Sequence, residues 1–135
     1  MKRTISSILA TLLCIATALF FVSCKGEVKP VVIDLTGAAV EEGRTLLDVM
    51  EERKEEGTLT FEVVNGMVTS INGTANAPTY NPCWMLYTSD DDPAASNSAW
   101  GTYEYEGQTL ASAALGADAL IVKAGEIYVW VYLTF

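Results

Sequence analysis

The sequence predicts an α+β domain in which one helix, residues 45 to 56, packs on a mixed sheet of four to five strands, with a long insert between the Trp84 strand and the C-terminal strands. Three observations carry this. The segment from Thr45 to Glu56 is the one stretch of the mature chain whose apolar residues (Leu46, Leu47, Val49, Met50) group at helical spacing. After Gly57 the period falls to two, with Leu59, Phe61 and Val63 alternating with Thr60 and Glu62. The chain then closes on Ile127 to Phe135, the strongest strand pattern in the sequence.

Taken in order, residues 25 to 30 form a short polar tether and Val31 to Leu35 the first strand. Gly37 and Gly43 bracket a turn. Thr45 is placed to cap the helix, with Asp48 three residues on where a capping box needs a carboxylate. Glu51 to Glu56 is a solvated last turn, and Gly57 a C-cap. Asn65-Gly66 carries the signature of a type I′ hairpin, with Met67 to Ile71 as the returning strand. Asn72-Gly73 opens a polar loop that runs to Pro82, and is read as a turn rather than a glycosylation sequon. Cys83 to Tyr87 is a strand.

Thr88 to Gln108 is a long excursion, acidic at Asp90, Asp91 and Asp92, with a hairpin arm expected around 100 to 106. Thr109 to Leu115, Ala119 to Val122 and the turn Lys123 to Glu126 lead into the last strand. There Ile127, Val129, Val131 and Leu133 share one face, and Tyr128, Trp130 and Tyr132 the other. The aliphatic face is expected to meet the helix. The aromatic row is then left for the excursion, a ligand or partner, or water to cover.

At the N-terminus Met1-Lys2-Arg3 supplies a cationic start, and Ile5 to Val22 is almost wholly apolar. It ends in Ser23-Cys24, a small residue directly before a cysteine, which resembles a bacterial lipobox. The resemblance implies a signal over 1–23, a tether over 24–30, a single domain over 31–135 and a diacylglycerol thioether on Cys24. Those acyl chains would hold the exported protein on the outer side of a bacterial membrane. This reading is preferred to cleavage at Ala16-Thr17-Ala18, which would expose Phe20-Phe21-Val22, and to an uncleaved anchor. Cys83 then stands alone in the mature chain, without an intrachain disulfide partner.

Half of the residues are apolar, and the formal charge of −9 becomes −11 once Lys2 and Arg3 leave. Phosphate contacts need clustered cations, so nucleic acid is excluded as a partner. The sequence contains no histidine, which removes His-based acid/base catalysis, Ser-His and Cys-His nucleophiles and His-ligated zinc. Neither a phosphate loop nor a nucleophile elbow appears, and the chain is read as a non-enzyme.

The segments Thr45 to Met50, Val68 to Gly73, Cys83 to Tyr87, Gly116 to Glu126 and Tyr128 to Tyr132, in that order, resemble a bacterial domain-of-unknown-function family. That family is similar to the C-terminal domain of transcobalamin and intrinsic factor. The resemblance covers about residues 30 to 135 and implies a β-grasp-like fold and, as cofactor, a cobalamin-like corrinoid. Fold transfers more readily than ligand.

The leading functional reading is therefore an envelope lipoprotein that binds a ligand through the 88–108 loop and the aromatic face. Trp84, Trp100, Tyr103, Tyr105, Tyr128, Trp130 and Tyr132 are its candidate contacts, because rings stack on flat molecules. On this view the excursion serves recognition rather than stability. One alternative is a surface module for protein recognition or adhesion. A second is calcium or magnesium held by Asp90, Asp91 and Asp92, although the run lacks the alternating spacing of a calcium loop.

Overall fold

The computed structural model describes residues 27–135. Cys24, the cationic start and the apolar N-terminal segment lie outside the described residues. Among those described, no helix is long and apolar enough to cross a membrane.

The described residues form one helix and eight strands: β1 (Val31–Asp34), α1 (Leu46–Glu55), β2 (Phe61–Val64), β3 (Met67–Ile71), β4 (Thr74–Ala75), β5 (Cys83–Thr88), β6 (Ser96–Tyr105), β7 (Gln108–Ala113) and β8 (Ile127–Leu133). The strands make two sheets, ordered β1-β8-β5-β7-β6 and β2-β3-β4. The small sheet and α1 together form the second layer over one face of the large sheet, sharing a core in which Leu46, Val49, Met50, Phe61, Val68 and Ile71 meet Trp84, Tyr128 and Trp130.

The expected mixed sheet is corrected here: every strand pair is antiparallel. The reason lies where β1 ends. Leu35 N–H donates to Glu126 O at 3.0 Å and Gly125 N–H to Leu35 O at 2.9 Å, which fixes the exit of β1 beside the start of β8. The two strands then run in opposite directions, with Val31 opposite Trp130 and Asp34 opposite Ile127.

Local chemistry sets the helix ends. Thr45 Oγ1 accepts from Asp48 N–H while Asp48 Oδ2 accepts from Thr45 N–H, a complete capping box. Two further amides of the first turn find tertiary carbonyls: Leu46 N–H donates to Leu120 O and Leu47 N–H to Ala117 O, both at 2.9 Å. At the other end Gly57 N–H donates to Lys54 O and Thr58 N–H to Arg53 O, the two bonds of a Schellman cap.

The box makes Asp48 a pH-sensitive element. The Thr45 backbone N–H, then the Thr45 side chain, hold its carboxyl below the ordinary value. Since the folded value lies below the unfolded one, the contribution is fully present above about pH 4 and is lost as pH falls through the folded value. Thr45→Ala is expected to cost about 1 kcal/mol at neutral pH. Urea midpoints measured from neutral pH downward should show a shallower acid decline in the variant; parallel curves would exclude this role for the box.

The excursion is not a loop. Asp92 O accepts from Ala95 and Ser96 N–H, closing a turn, and Ser96 then begins a ten-residue strand that returns as β7. The turn between them, Glu106-Gly107, has φ of 45° and 80°, matching Asn65-Gly66 (52° and 79°) and Asn72-Gly73 (49° and 83°). All three are two-residue turns with both central residues left-handed, the type I′ geometry that suits the strand twist. Asn72-Gly73 therefore closes a second hairpin, Ile71 opposite Thr74, rather than opening a loop.

A second correction concerns the faces of β8. The aromatic row, not the aliphatic one, meets the helix: Tyr128 and Trp130 share the core of α1, and Tyr132 packs against it. Ile127, Val129, Val131 and Leu133 instead meet Val32, Met85, Tyr87, Tyr103, Tyr105 and Leu110 in a separate cluster. The aromatic side needs polar partners for its ring ends, and the second layer supplies them. Tyr132 Oη donates to Ala75 O at 2.7 Å, Trp84 Nε1 to Thr74 O at 2.8 Å, and Tyr128 Oη accepts from Lys123 N–H at 3.0 Å. The aliphatic face is covered by the β6–β7 arm. Tyr103, Tyr105 and Leu110 of the arm pack on that face, with the Tyr103 and Tyr87 rings 5.6 Å apart.

Candidate functional site

The site begins with a split in the large sheet. β5 pairs with β8 along its whole length, Cys83 to Thr88, but with β7 only at Tyr87 and Thr88. Beyond Ser112 the strand β7 turns away, because Ala114 N–H donates to Ala95 O on its other side. Cys83 to Leu86 and Ala113 to Gly116, which would face each other in a continuous sheet, instead form the walls of a cleft of ≈ 550 Å³.

The small sheet closes one end of this cleft. Asn76 holds the junction: its Oδ1 accepts from Trp84 N–H at 2.8 Å and its Nδ2 donates to Val68 O at 3.4 Å. The β2–β3 turn brings Asn65, Gly66 and Met67 to the mouth. Across from them stands Asp118, in the turn that the first helical amides anchor through Ala117 and Leu120. The approach is close: a Cβ on Gly66 would lie 2.4 Å from Asp118 Oδ2.

The lining is predominantly apolar, and Met67, Tyr80 and Leu115 leave an exposed apolar rim. Trp84 and Trp130 form part of the walls. One feature sets Trp130 apart. It is only 6% exposed, and its Nε1–H is a buried donor with no hydrogen-bond partner, whereas Trp84, Tyr128 and Tyr132 all have theirs. Such a donor costs free energy until something accepts from it. Cys83, also in the wall, is buried on β5, and burial pushes its thiol up, away from the reactive thiolate.

The ring residues singled out in the sequence thus divide three ways. Trp84 and Trp130 reach the cleft. Tyr128 is wholly buried beneath the second layer, where desolvation raises its phenol above the ordinary value against the opposing pull of the Lys123 amide. Tyr132 leans on Trp84, ring centroids 5.1 Å apart. Tyr103 and Tyr105 lie on the opposite face of the sheet, in the aliphatic cluster. Trp100 stands apart, 62% exposed in the irregular stretch of β6 between Asn97 and Thr102. No common surface joins all seven.

The acidic run is organised around a cation already in the protein. Lys123 Nζ lies 3.2 Å from both Asp90 Oδ2 and Asp92 Oδ2, and Asp90 is 2% exposed. The contact to Asp90 Oδ2 is an ion pair without hydrogen-bond alignment, which that lysine makes to Oδ1 at 3.3 Å. Asp92 is held below its ordinary value first by the Ala94 amide and then by Lys123, and the Asp90 and Asp92 carboxylates hold Lys123 above its own. Asp91 points to solvent. Among the described residues no three His, Cys, Asp or Glu side chains converge as a metal site.

Asn76, Met67, Tyr80, Leu115 and Asp118 were not foreseen as site residues. They come from separate segments that no local pattern links. No family model, curated protein or solved structure matches the chain.

Proposed function

We propose that this domain is a non-catalytic binding module for a small, largely apolar molecule that enters the β5–β7 cleft, carried by an exported chain anchored through lipid on Cys24. The observation that carries the reading is a predominantly apolar cleft, opened where β7 parts from β5, with Trp130 in its wall holding a buried Nε1–H that has no partner. A ligand with a hydrogen-bond acceptor completes it. The volume falls in the range of pockets that hold drug-sized molecules. Among the described residues that line it the one charged side chain is the Asp118 carboxylate, and a lone carboxylate suits binding better than acid/base chemistry.

For the finer fold assignment, a β-grasp-like domain similar to the transcobalamin C-terminal domain, the support is a helix, one among the described residues, packed on one face of a five-stranded sheet, although that sheet is antiparallel throughout. A ligand smaller than a full corrinoid suits the cleft better. Protein recognition is the second reading, and exposed Trp100 on an edge strand favours it.

Tryptophan fluorescence tests the first reading. N-acetyl-2-naphthylamine, an uncharged ring with a carbonyl acceptor, is expected to give a saturable change in emission. Met67→Glu with Leu115→Glu, both exposed rim positions, should weaken it roughly ten-fold through lost apolar contact, while Trp100→Ala leaves it unchanged. Cobalamin, cobinamide and haem are expected to leave the emission unsaturated. Equal affinity in the rim double variant would remove the cleft as the binding site.

A further inference from the structure

The polarity of the cleft specifies more than its shape does. Of the residues that line it, Asp118 alone is charged, and no Lys or Arg is among them. The Asp118 carboxylate is held over Gly66 and Gly116 by the anchored 116–120 turn, and makes no ion pair among the described residues. Contrast Asp90 and Asp92, which share Lys123.

Trp84 and Trp130 stand in the walls, and the buried Trp130 Nε1–H is a donor without a partner. An anion entering the cleft meets a carboxylate and no compensating cation. An organic cation gains both the carboxylate and the rings, and the formal charge of −9 on the chain draws it in.

We propose that the cleft selects cationic amphiphiles: a flat apolar body that bears an amine, directed to Asp118, and a carbonyl-type acceptor, directed to Trp130 Nε1–H. This rests on the cleft being the ligand site, as argued above, and adds the charge and the donor pattern of the ligand.

Three probes with the same ring and the same amide separate the two ideas: glycine 2-naphthylamide (cation), N-acetyl-2-naphthylamine (neutral) and N-(2-naphthyl)succinamic acid (anion). Calorimetry on the full chain at low salt is expected to rank them cation, neutral, anion, with the cation about five-fold tighter than the neutral amide. That advantage should shrink as salt rises. Asp118→Asn, at an exposed position, should bring the cation to the affinity that the neutral probe has for the same variant. Equal binding of cation and anion, or a cation advantage that survives Asp118→Asn, overturns charge selection while leaving the cleft reading intact. Failure of all three probes to bind overturns both.

Discussion

Replacing residues 90 to 106 by a short Gly-Ser linker is expected to abolish cooperative unfolding of the domain. The linker removes β6, and with it Tyr103 and Tyr105, which cover the aliphatic face of β8. Ile127, Val129, Val131, Leu110 and Tyr87, all now buried, would meet water. Each large apolar side chain exposed in this way costs about 1.5–3 kcal/mol. Losing several of them exhausts the roughly 5–15 kcal/mol that a domain commands. The same change also cuts the ion pairs from Lys123 to Asp90 and Asp92. A thermal melt followed by near-ultraviolet circular dichroism should lose its sharp transition. A transition that stays within a few degrees of the unaltered protein would mean that the arm is an appendage and that the aliphatic face is covered in some other way.

The second large effect is a difference between two tryptophans. Trp84→Phe and Trp130→Phe each remove one indole ring and one N–H, but the two N–H groups stand in opposite situations. Trp84 Nε1 donates to Thr74 O at 2.8 Å, and its loss strands a carbonyl at the junction of the two sheets. Trp130 Nε1 donates to nothing, and its loss relieves a buried donor of its desolvation cost. With ring loss common to both, Trp84→Phe is expected to be the less stable variant by about 2 kcal/mol. Chemical denaturation with both variants measures the gap. In binding the order should reverse, because Trp130→Phe removes the group offered to the ligand. Equal stabilities would show that the Trp130 indole is satisfied in solution, and would take away the main support for the cleft.

Much of the fold was legible because its signals are local. Thr45 and Asp48 write the start of α1, Gly57 its end, and Asn65-Gly66 a hairpin that needs no information from elsewhere in the chain. The alternation in β8 separates two faces just as directly. Which face turns toward the helix is not local. It is decided by where carbonyls and amides wait for ring hydroxyls and indoles, and those sit on β4 and at Lys123, far off in sequence.

The arm was visible only in part, as the hairpin expected around 100 to 106, and its first half was missed for a different reason. β6 is an edge strand with a register shift between Asn97 and Thr102, so its alternation is broken and its small, polar residues look like a loop. Its turn, Glu106-Gly107, has the geometry of the two Asn-Gly turns with a less typical first residue. The cleft was half visible. Trp84 and Trp130 stood out as aromatic, but Asn76, Met67, Leu115 and Asp118 gain meaning only when β7 parts from β5. The acidic run stood out as a metal candidate because sequence shows the carboxylates together, while their partner Lys123 lies more than thirty residues on.

The strand order also constrains the timing of folding. β8, the last of the described strands, sits between β1, the first of them, and β5, and both core clusters are built on its two faces. A chain short of Ile127 has its local hairpins and its helix caps, but nothing for β1 to pair with and no floor for either core. Joining the first strand to the last closes a loop of nearly the whole domain, the kind of long-range contact whose entropic cost slows folding. Packed tertiary structure therefore waits for β8, and before it the chain holds only local elements. Were the chain exported as proposed, such late closure would keep the domain in the form in which a membrane can be crossed.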